Sequence, residues 1–448
     1  MPINRRDLLL GTLSGAAALA APAFGAPLSA FGVDATHYGV HPGSSNDQSR
    51  ALQRAIDQAA RTRVPLMLPP GVYRAADLRL PAGAALSGVR GATRLVLAHG
   101  PSLLAAEHAD TVTLTGLILD GGGQTLPPGR GLVHLIASKA VRLADCELVG
   151  AGGNAVALVE CSGEVTRNTI TDAADNALFC NDSGGLIIDA NTIRGSGNGG
   201  IRVWQSEKRH DGSVVTDNSI EDTAARAGGT GQNGNAINIF RAADVIVRGN
   251  HIRNAAFSAI RGNAANNIQI IGNNCSVMKE TAMYAEFEFQ GAIIADNLID
   301  TAESGISVTN FNNGGRLATV RGNLVHNVGV ARPGSKPEEI GIGIAVEADT
   351  AVTGNVIDTA PNAGIRAGSG KYLRNVTISA NVVRNAGYGI AVSVAPGAGD
   401  AAISGNIIAG AKLGAIVGMA WAKPATGDLM KEGTARYPQL TVANNQAS

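Results

Sequence analysis

From about residue 112 to the C-terminus, short runs alternate apolar and polar residues, and each leads into an asparagine, one further residue and an aliphatic. The phrases read Val-Thr-Arg-Asn168-Thr-Ile, Ile-Asp-Ala-Asn191-Thr-Ile, Val-Thr-Asp-Asn218-Ser-Ile and Val-Arg-Gly-Asn250-His-Ile. They continue through Asn273, Asn297, Asn323, Asn355, Asn381 and Asn406 to a frayed Thr-Val-Ala-Asn444-Asn. Successive asparagines lie 23, 27, 32, 23, 24, 26, 32, 26, 25 and 38 residues apart. A phrase recurring at this interval is one coil of a solenoid whose loops vary in length.

The period-two flanks of each phrase predict half-buried strands. Between them the Gly/Ala/Asp-Asn pair has to turn the chain sharply, and Asn is the residue besides Gly that tolerates left-handed backbone. Stacking the coils brings the Asn side chains into one column, where amide bonds to amide. A further strand of the form Gly-Ile-x-Val follows each turn, at Gly200, Gly305, Gly343 and Gly389. Three short parallel strands per coil predict an all-β fold, a single right-handed parallel β-helix. A leucine-rich horseshoe is excluded, because its Leu-x-x-Leu-x-Leu frame is missing.

Residues 27–110 differ from the repeats and predict an N-terminal cap with the first coils. Leu52, Ala55, Ile56 and Ala59 share one face of a helix that Ser45 or Asn46 is placed to cap. This helix would close the open apolar end of the first coil. Residues 111–419 carry the repeats. Residues 420–448, where Trp421 to Gln439 breaks the pattern with charge and proline, predict a C-terminal cap. The entry order (strand, Gly turn, amphipathic helix, Leu68-Pro-Pro-Gly-Val-Tyr, coils) resembles the pectate-lyase-like superfamily.

Composition adds little bias. Lys+Arg and Asp+Glu both number 36, so nothing points to nucleic acid. Four cysteines lack metal-ligand spacing. Cys180 and Cys275 fall on inward positions, and a disulfide among Cys146, Cys161 and Cys180 is left open. Residues 1–26 change the picture more. Arg5-Arg6-Asp7-Leu8-Leu9, a short apolar stretch and small residues near Ala23 resemble a twin-arginine export signal. That stretch is too short for a stable membrane span. The resemblance implies the twin-arginine translocase as a partner and a periplasmic or secreted location. Leader, entry and Asn-centred coils together resemble a bacterial family of twin-arginine-translocated β-helix proteins of unassigned activity.

Members of the superfamily usually work on the outer face of the Gly-Ile-x-Val strand. Alternation turns Phe179 and Asn181, Arg202 and Trp204, Asn238 and Phe240, and Arg261 and Asn263 outward. Tyr284 and Glu286, Ser307 and Thr309, Ala345 and Glu347, and Arg366 and Gly368 follow. The longest insertions, residues 221–235 and 326–340, would wall a cleft on one side, opposite the turn carrying Lys208 and His210. Elimination on a uronic acid needs a cation on the carboxylate, a base and a donor to the leaving oxygen. Arg202 or Arg261 would grip the carboxylate. Tyr284, Lys279, Lys208 or His210 would move the proton. Glycoside hydrolysis needs two carboxylates instead. Glu286 and Glu347 stand two rungs apart, about 9.6 Å between backbones, and Glu288 is a further candidate. Trp204, Asn238, Phe240, Asn263 and Glu347 would bind substrate.

Against these stand plainer readings. Arg261 with Glu286 is also the pattern of a solvated ion pair on a sheet face, and Trp204, Phe240 and Tyr284 would equally pack under the loops. Asp120-Gly-Gly-Gly reads as a turn. The catalytic blocks of polygalacturonases, pectate lyases and alginate epimerases are all missing. No cofactor is evident, and Asp and Asn in the turns would hold Ca²⁺ only weakly. The expected partner is a polysaccharide or cell-envelope glycan. Lyase or epimerase action on an acidic glycan is expected first; a hydrolase, or a solenoid that binds glycan without turnover, is the alternative.

Overall fold

The computed structural model describes residues 32–229, 231–331 and 334–448. The twin-arginine segment lies outside the described residues. The repeats coil into an all-β right-handed parallel β-helix, with three strands per coil forming three walls. The first wall holds strands that precede each Asn, such as Ile187–Asp189 and Val214–Thr216, paired parallel in register. The second follows the Asn, as in Thr192–Arg194 and Ser219–Thr223. The third contains the Gly-Ile-x-Val strands, among them Asn235–Ala243, Ile260–Asn263, Thr281–Glu286 and Ser304–Val308. Inward residues such as Ile201, Ile237, Ile260, Met283 and Ile306 stack rung over rung and are fully buried. One continuous core fills the tube.

The asparagines form an unbroken buried ladder. Asn168 Nδ2 donates to Asn191 Oδ1 at 3.0 Å, and the same bond repeats upward to Asn381 and Asn406 at 2.9 Å. Each Oδ1 also accepts the backbone N–H of the Asn below, as Asn191 does from Asn168 at 3.0 Å. Two expectations need correction. The last rung is Asn445, which accepts from Asn406 Nδ2 at 2.8 Å, and Asn444 is not part of the ladder. Within each turning pair the left-handed residue is the one before the Asn: Arg167, Ala190, Asp217 and Asp296 have φ of 53–57°. Asn444 itself has φ 56°. The ladder amide must point into the tube, so the strained backbone falls to its neighbour, where Gly, Asp and Asn adopt it most cheaply.

The capping helix Ser49–Thr62 buries Leu52, Ala55, Ile56 and Ala59. Neither Ser45 nor Asn46 caps it. Asp47 Oδ1 accepts from the Ser49 N–H at 2.7 Å, and Gln48 stands at the cap position without a side-chain bond. At the other end, strand Gly414–Ala420 turns back as the antiparallel strand Lys423–Asp428 before Leu440–Ala443 rejoins the first wall. All four cysteines are free and buried, so no disulfide joins Cys146, Cys161 or Cys180. Cys146 occupies the ladder position beneath Asn168, and its N–H donates to Asn168 Oδ1 at 2.9 Å.

Candidate functional site

Strand register sets the outward columns of the third wall. Phe179, Arg202, Asn238, Arg261, Tyr284, Ser307, Ala345 and Arg366 follow one another in one column. Asn181, Trp204, Phe240, Asn263 and Glu286 form the next. Outward direction is not exposure, however, because the loops fold back over much of this face.

The insertion before Asn235–Ala243 covers the N-terminal rungs. Arg202 is 7% exposed; its Nη2 donates to Asn233 Oδ1 at 2.5 Å. Asn238 Nδ2 donates to the Gly231 carbonyl at 2.8 Å, and Trp204 Nε1 donates to Asn238 Oδ1 at 3.2 Å. Phe179, Trp204 and Phe240 meet edge to face with centroids 6.0 and 5.7 Å apart. Arg202 lies over the Trp204 ring at 4.9 Å. Burial pushes the Arg202 guanidinium down to about 10. This half of the predicted platform is packed under its loop.

Arg261 sits at the centre of a buried charge network. Its Nε donates to Glu286 Oε1 at 2.6 Å, its Nη1 lies 3.3 Å from Glu280 Oε2, and its guanidinium is 4.6 Å from the centre of the Tyr284 ring. Asn263 Nδ2 adds a bond to Glu286 Oε1 at 3.1 Å. Burial opposes the charge on Arg261, but Glu286 and then Glu280 overcome it and hold the guanidinium above its ordinary value. This is a desolvated triad, not a solvated surface pair. Sequence reasoning missed Glu280, since it stands at the corner before the strand, outside the alternating run. A Glu two positions before the Ala of the strand motif was the available signal.

Beyond the triad the face opens into a groove of about 340 Å³. Tyr284, Glu286 and Glu347 line it, whereas Arg202, Arg261, Trp204, Asn238, Phe240 and Asn263 do not. Ser307, Thr309, Arg366, Phe287 and Glu339 complete its working surface. The long loop forms one wall: Ser304 Oγ donates to the Glu339 carbonyl at 3.0 Å and Arg366 Nη2 to the Glu338 carbonyl at 2.8 Å. Opposite, Lys208 Nζ reaches across three rungs to the Glu288 carbonyl at 2.7 Å. His210 pairs with Asp244 Oδ2 at 2.6 Å, and Lys279 is exposed outside the groove. Phe287 and Glu339 were missed because they belong to loops with no period.

The two carboxylates of the groove differ in setting. Glu286 has a guanidinium partner. Glu347 is half-buried, accepts the Phe311 N–H at 2.7 Å, and pairs with no basic side chain among the described residues. Burial raises its pKa, against the backbone bonds from Phe311 and Asn310. Burial, then Glu280, pushes the Tyr284 phenol up as well. Among the described residues no group of three or more His, Cys, Asp or Glu is placed to hold a metal.

A family model for the right handed beta helix region matches residues 131–226, 154–325 and 199–373, which together run from 131 to 373 and cover more than half of the chain. The chain belongs to the right-handed β-helix family. Solved β-helices resemble it at low identity. The N-terminal fragment of bacteriophage phi29 gene product 12 is 15% identical, with 87% of this chain and 69% of that one covered and a TM-score of 0.50. A hyperthermoactive exopolygalacturonase from Thermotoga maritima is 13% identical over 93% of this chain and 91% of that one, TM-score 0.40. The A-module of the Azotobacter vinelandii mannuronan C-5 epimerase AlgE6 is 15% identical over 93% and 99%, TM-score 0.43. At these identities the likeness is one of fold. No curated protein sequence matches the chain.

Proposed function

We propose that this β-helix protein is exported through the twin-arginine pathway and acts on a glycan held in the groove between Tyr284 and Arg366. The observation that carries the reading is the shared groove of Glu286 and Glu347, two carboxylates in contrasting settings. Such pairs divide acid and base roles. Glu347, whose burial favours its protonated form, gives its proton to the glycosidic oxygen as the bond to the anomeric carbon breaks. Glu286, countercharged by Arg261, accepts a proton from the attacking water. Their backbones stand two rungs apart, about 9.6 Å, and the scheme is that of an inverting pair with the water between the two carboxyls. Arg261 is a positioning residue in this scheme, since it pairs with Glu286 and Glu280 and does not line the groove.

Arg366 supports a second reading, elimination or epimerisation on a uronic acid, because it brings a guanidinium to the groove. In elimination Glu286 would take the C5 proton as the C4–O bond breaks, and Tyr284 would give one to the leaving oxygen instead of removing one, as its raised pKa favours the neutral phenol. One assay separates the readings. The protein, freed of residues 1–26, is incubated with pectate, alginate, glycosaminoglycans and neutral glucans. New reducing ends without ultraviolet absorbance support hydrolysis, and an unsaturated, absorbing product supports elimination. Binding without product supports a non-catalytic glycan-binding solenoid. Absence of binding to every glycan, or full turnover in both Glu286→Gln and Glu347→Gln, overturns the assignment of the groove.

A further inference from the structure

Among the described aromatic side chains, two are exposed, Phe287 and Trp421. Both have left-handed backbone, at φ 47° and 58°, a conformation that bulky residues seldom adopt. Phe287 lines the groove. Trp421, which sequence analysis assigned to the cap, stands at the tip of the hairpin made by Gly414–Ala420 and Lys423–Asp428 and is 61% exposed. Its ring lies against Gly370, where an added Cβ would come within 2.5 Å of the indole. The Tyr372 ring meets it edge to face at 6.3 Å, and Lys371 Nζ lies 5.6 Å from the centre of the Tyr372 ring. Gly370 and Tyr372 thus fix the indole in place while most of its surface remains open.

This aromatic corner continues the groove. Gly368 and Ser369 line the groove, and the next residue, Gly370, is the one that carries the indole. Counting rungs from Glu286 through Thr309, Glu347, Gly368 and Ser393 to Met419 gives five steps, about 24 Å at the spacing of paired strands. An extended oligosaccharide held at Phe287 and the carboxylates would therefore reach Trp421 at its far end. A flat aromatic face, open on one side and edged by a phenol ring, matches the apolar C–H face of a pyranose ring.

We propose that Trp421, steadied by Gly370 and Tyr372, is a distal binding platform for one pyranose unit of the glycan that occupies the groove. The proposal rests on the groove reading above and adds a length requirement to it: short oligosaccharides fill the groove alone, and longer ones gain the indole. The test is calorimetric titration of wild type and Trp421→Ala with oligomers of two to eight sugars, prepared from oligogalacturonate, mannuronan and glucans. The expected result is equal affinity for di- and trisaccharides and about tenfold weaker binding of the longest oligomers by the variant, with Trp421→Tyr close to wild type. The chain has two tryptophans, so Trp204→Phe leaves Trp421 as the sole emitter, and its fluorescence should change with long oligomers only. Equal affinity at every length, or unchanged emission while long oligomers bind, overturns the platform and leaves the groove reading standing. No binding of any oligomer by wild type overturns both. Self-association of wild type that Trp421→Ala abolishes would assign the indole to contact between copies and also overturn the proposal.

Discussion

Arg261 Nε donates to Glu286 Oε1 at 2.6 Å across neighbouring rungs, with both side chains under 10% exposed. Glu280 supplies a second carboxylate to the same guanidinium. Removing the cation strands two acids in a desolvated place, which costs about 3–5 kcal/mol. Arg261→Ala should therefore lower the melting temperature far more than Glu347→Ala. Thermal unfolding checks this; a variant that melts with wild type would mean the triad is solvated.

Glu347 gives a pH signature with a definite sign. Its folded pKa lies above the ordinary 4.5, so its contribution is fully present below that value and is lost as pH rises through the raised one. Glu347→Gln keeps an acceptor for the Phe311 N–H and avoids the buried charge. The variant should match wild type near pH 4 and melt higher near pH 8. A difference that stays constant with pH counts against the assignment.

The ladder should be most sensitive in its middle. Asn297 donates to the Ile270 carbonyl and Asn323 Oδ1 and accepts two bonds from Asn273. Asn297→Ala leaves those buried groups unpaired, at about 1–3 kcal/mol for each group not rescued by water. Asn445→Ala, at a part-exposed end, should cost clearly less. Denaturant unfolding of the two variants measures the gradient.

Cys146 offers the converse experiment. It fills a ladder position with a thiol that donates to the Ala144 carbonyl at 3.3 Å and the Leu114 carbonyl at 3.7 Å. Cys146→Asn would offer an amide N–H to the Leu114 carbonyl, as Asn168 does to Leu143, and extend the column by one rung, stabilising by about 0.5–1.5 kcal/mol if the larger side chain fits. A lower melting temperature would show that packing at this coil outweighs the added bond.

The thiols should be inert in the native state. Burial raises all four, Cys146 to about 11 and the rest also upward, so the thiolate is scarce near neutrality. A chromogenic thiol reagent at pH 8 should find none until denaturant is added, then four. Rapid native labelling would contradict the burial of these side chains.

The tube, its three walls and the order of outward residues were legible because each follows from a period: two within a strand, and a recurring asparagine between coils. The helix face around Leu52 and Ile56 was legible for the same reason. What sequence could not show was cover. Arg202 and Asn238 point outward as alternation requires, yet an insertion without periodicity lies on them. Glu280 and Phe287 join the site from corners, where the chain leaves the alternating frame. The position of the groove, displaced from the Trp204 region toward Glu347, was set by those loops alone.

The reversed strand Lys423–Asp428 has a consequence for assembly. A stack of parallel rungs has no intrinsic stopping point, and a bare final rung would accept a like rung from another molecule. By presenting main chain of the opposite polarity beside Gly414–Ala420, the hairpin acts as a chain terminator. On that wall the edge of Gly414–Ala420 is already paired, so a like parallel rung finds no free main chain there.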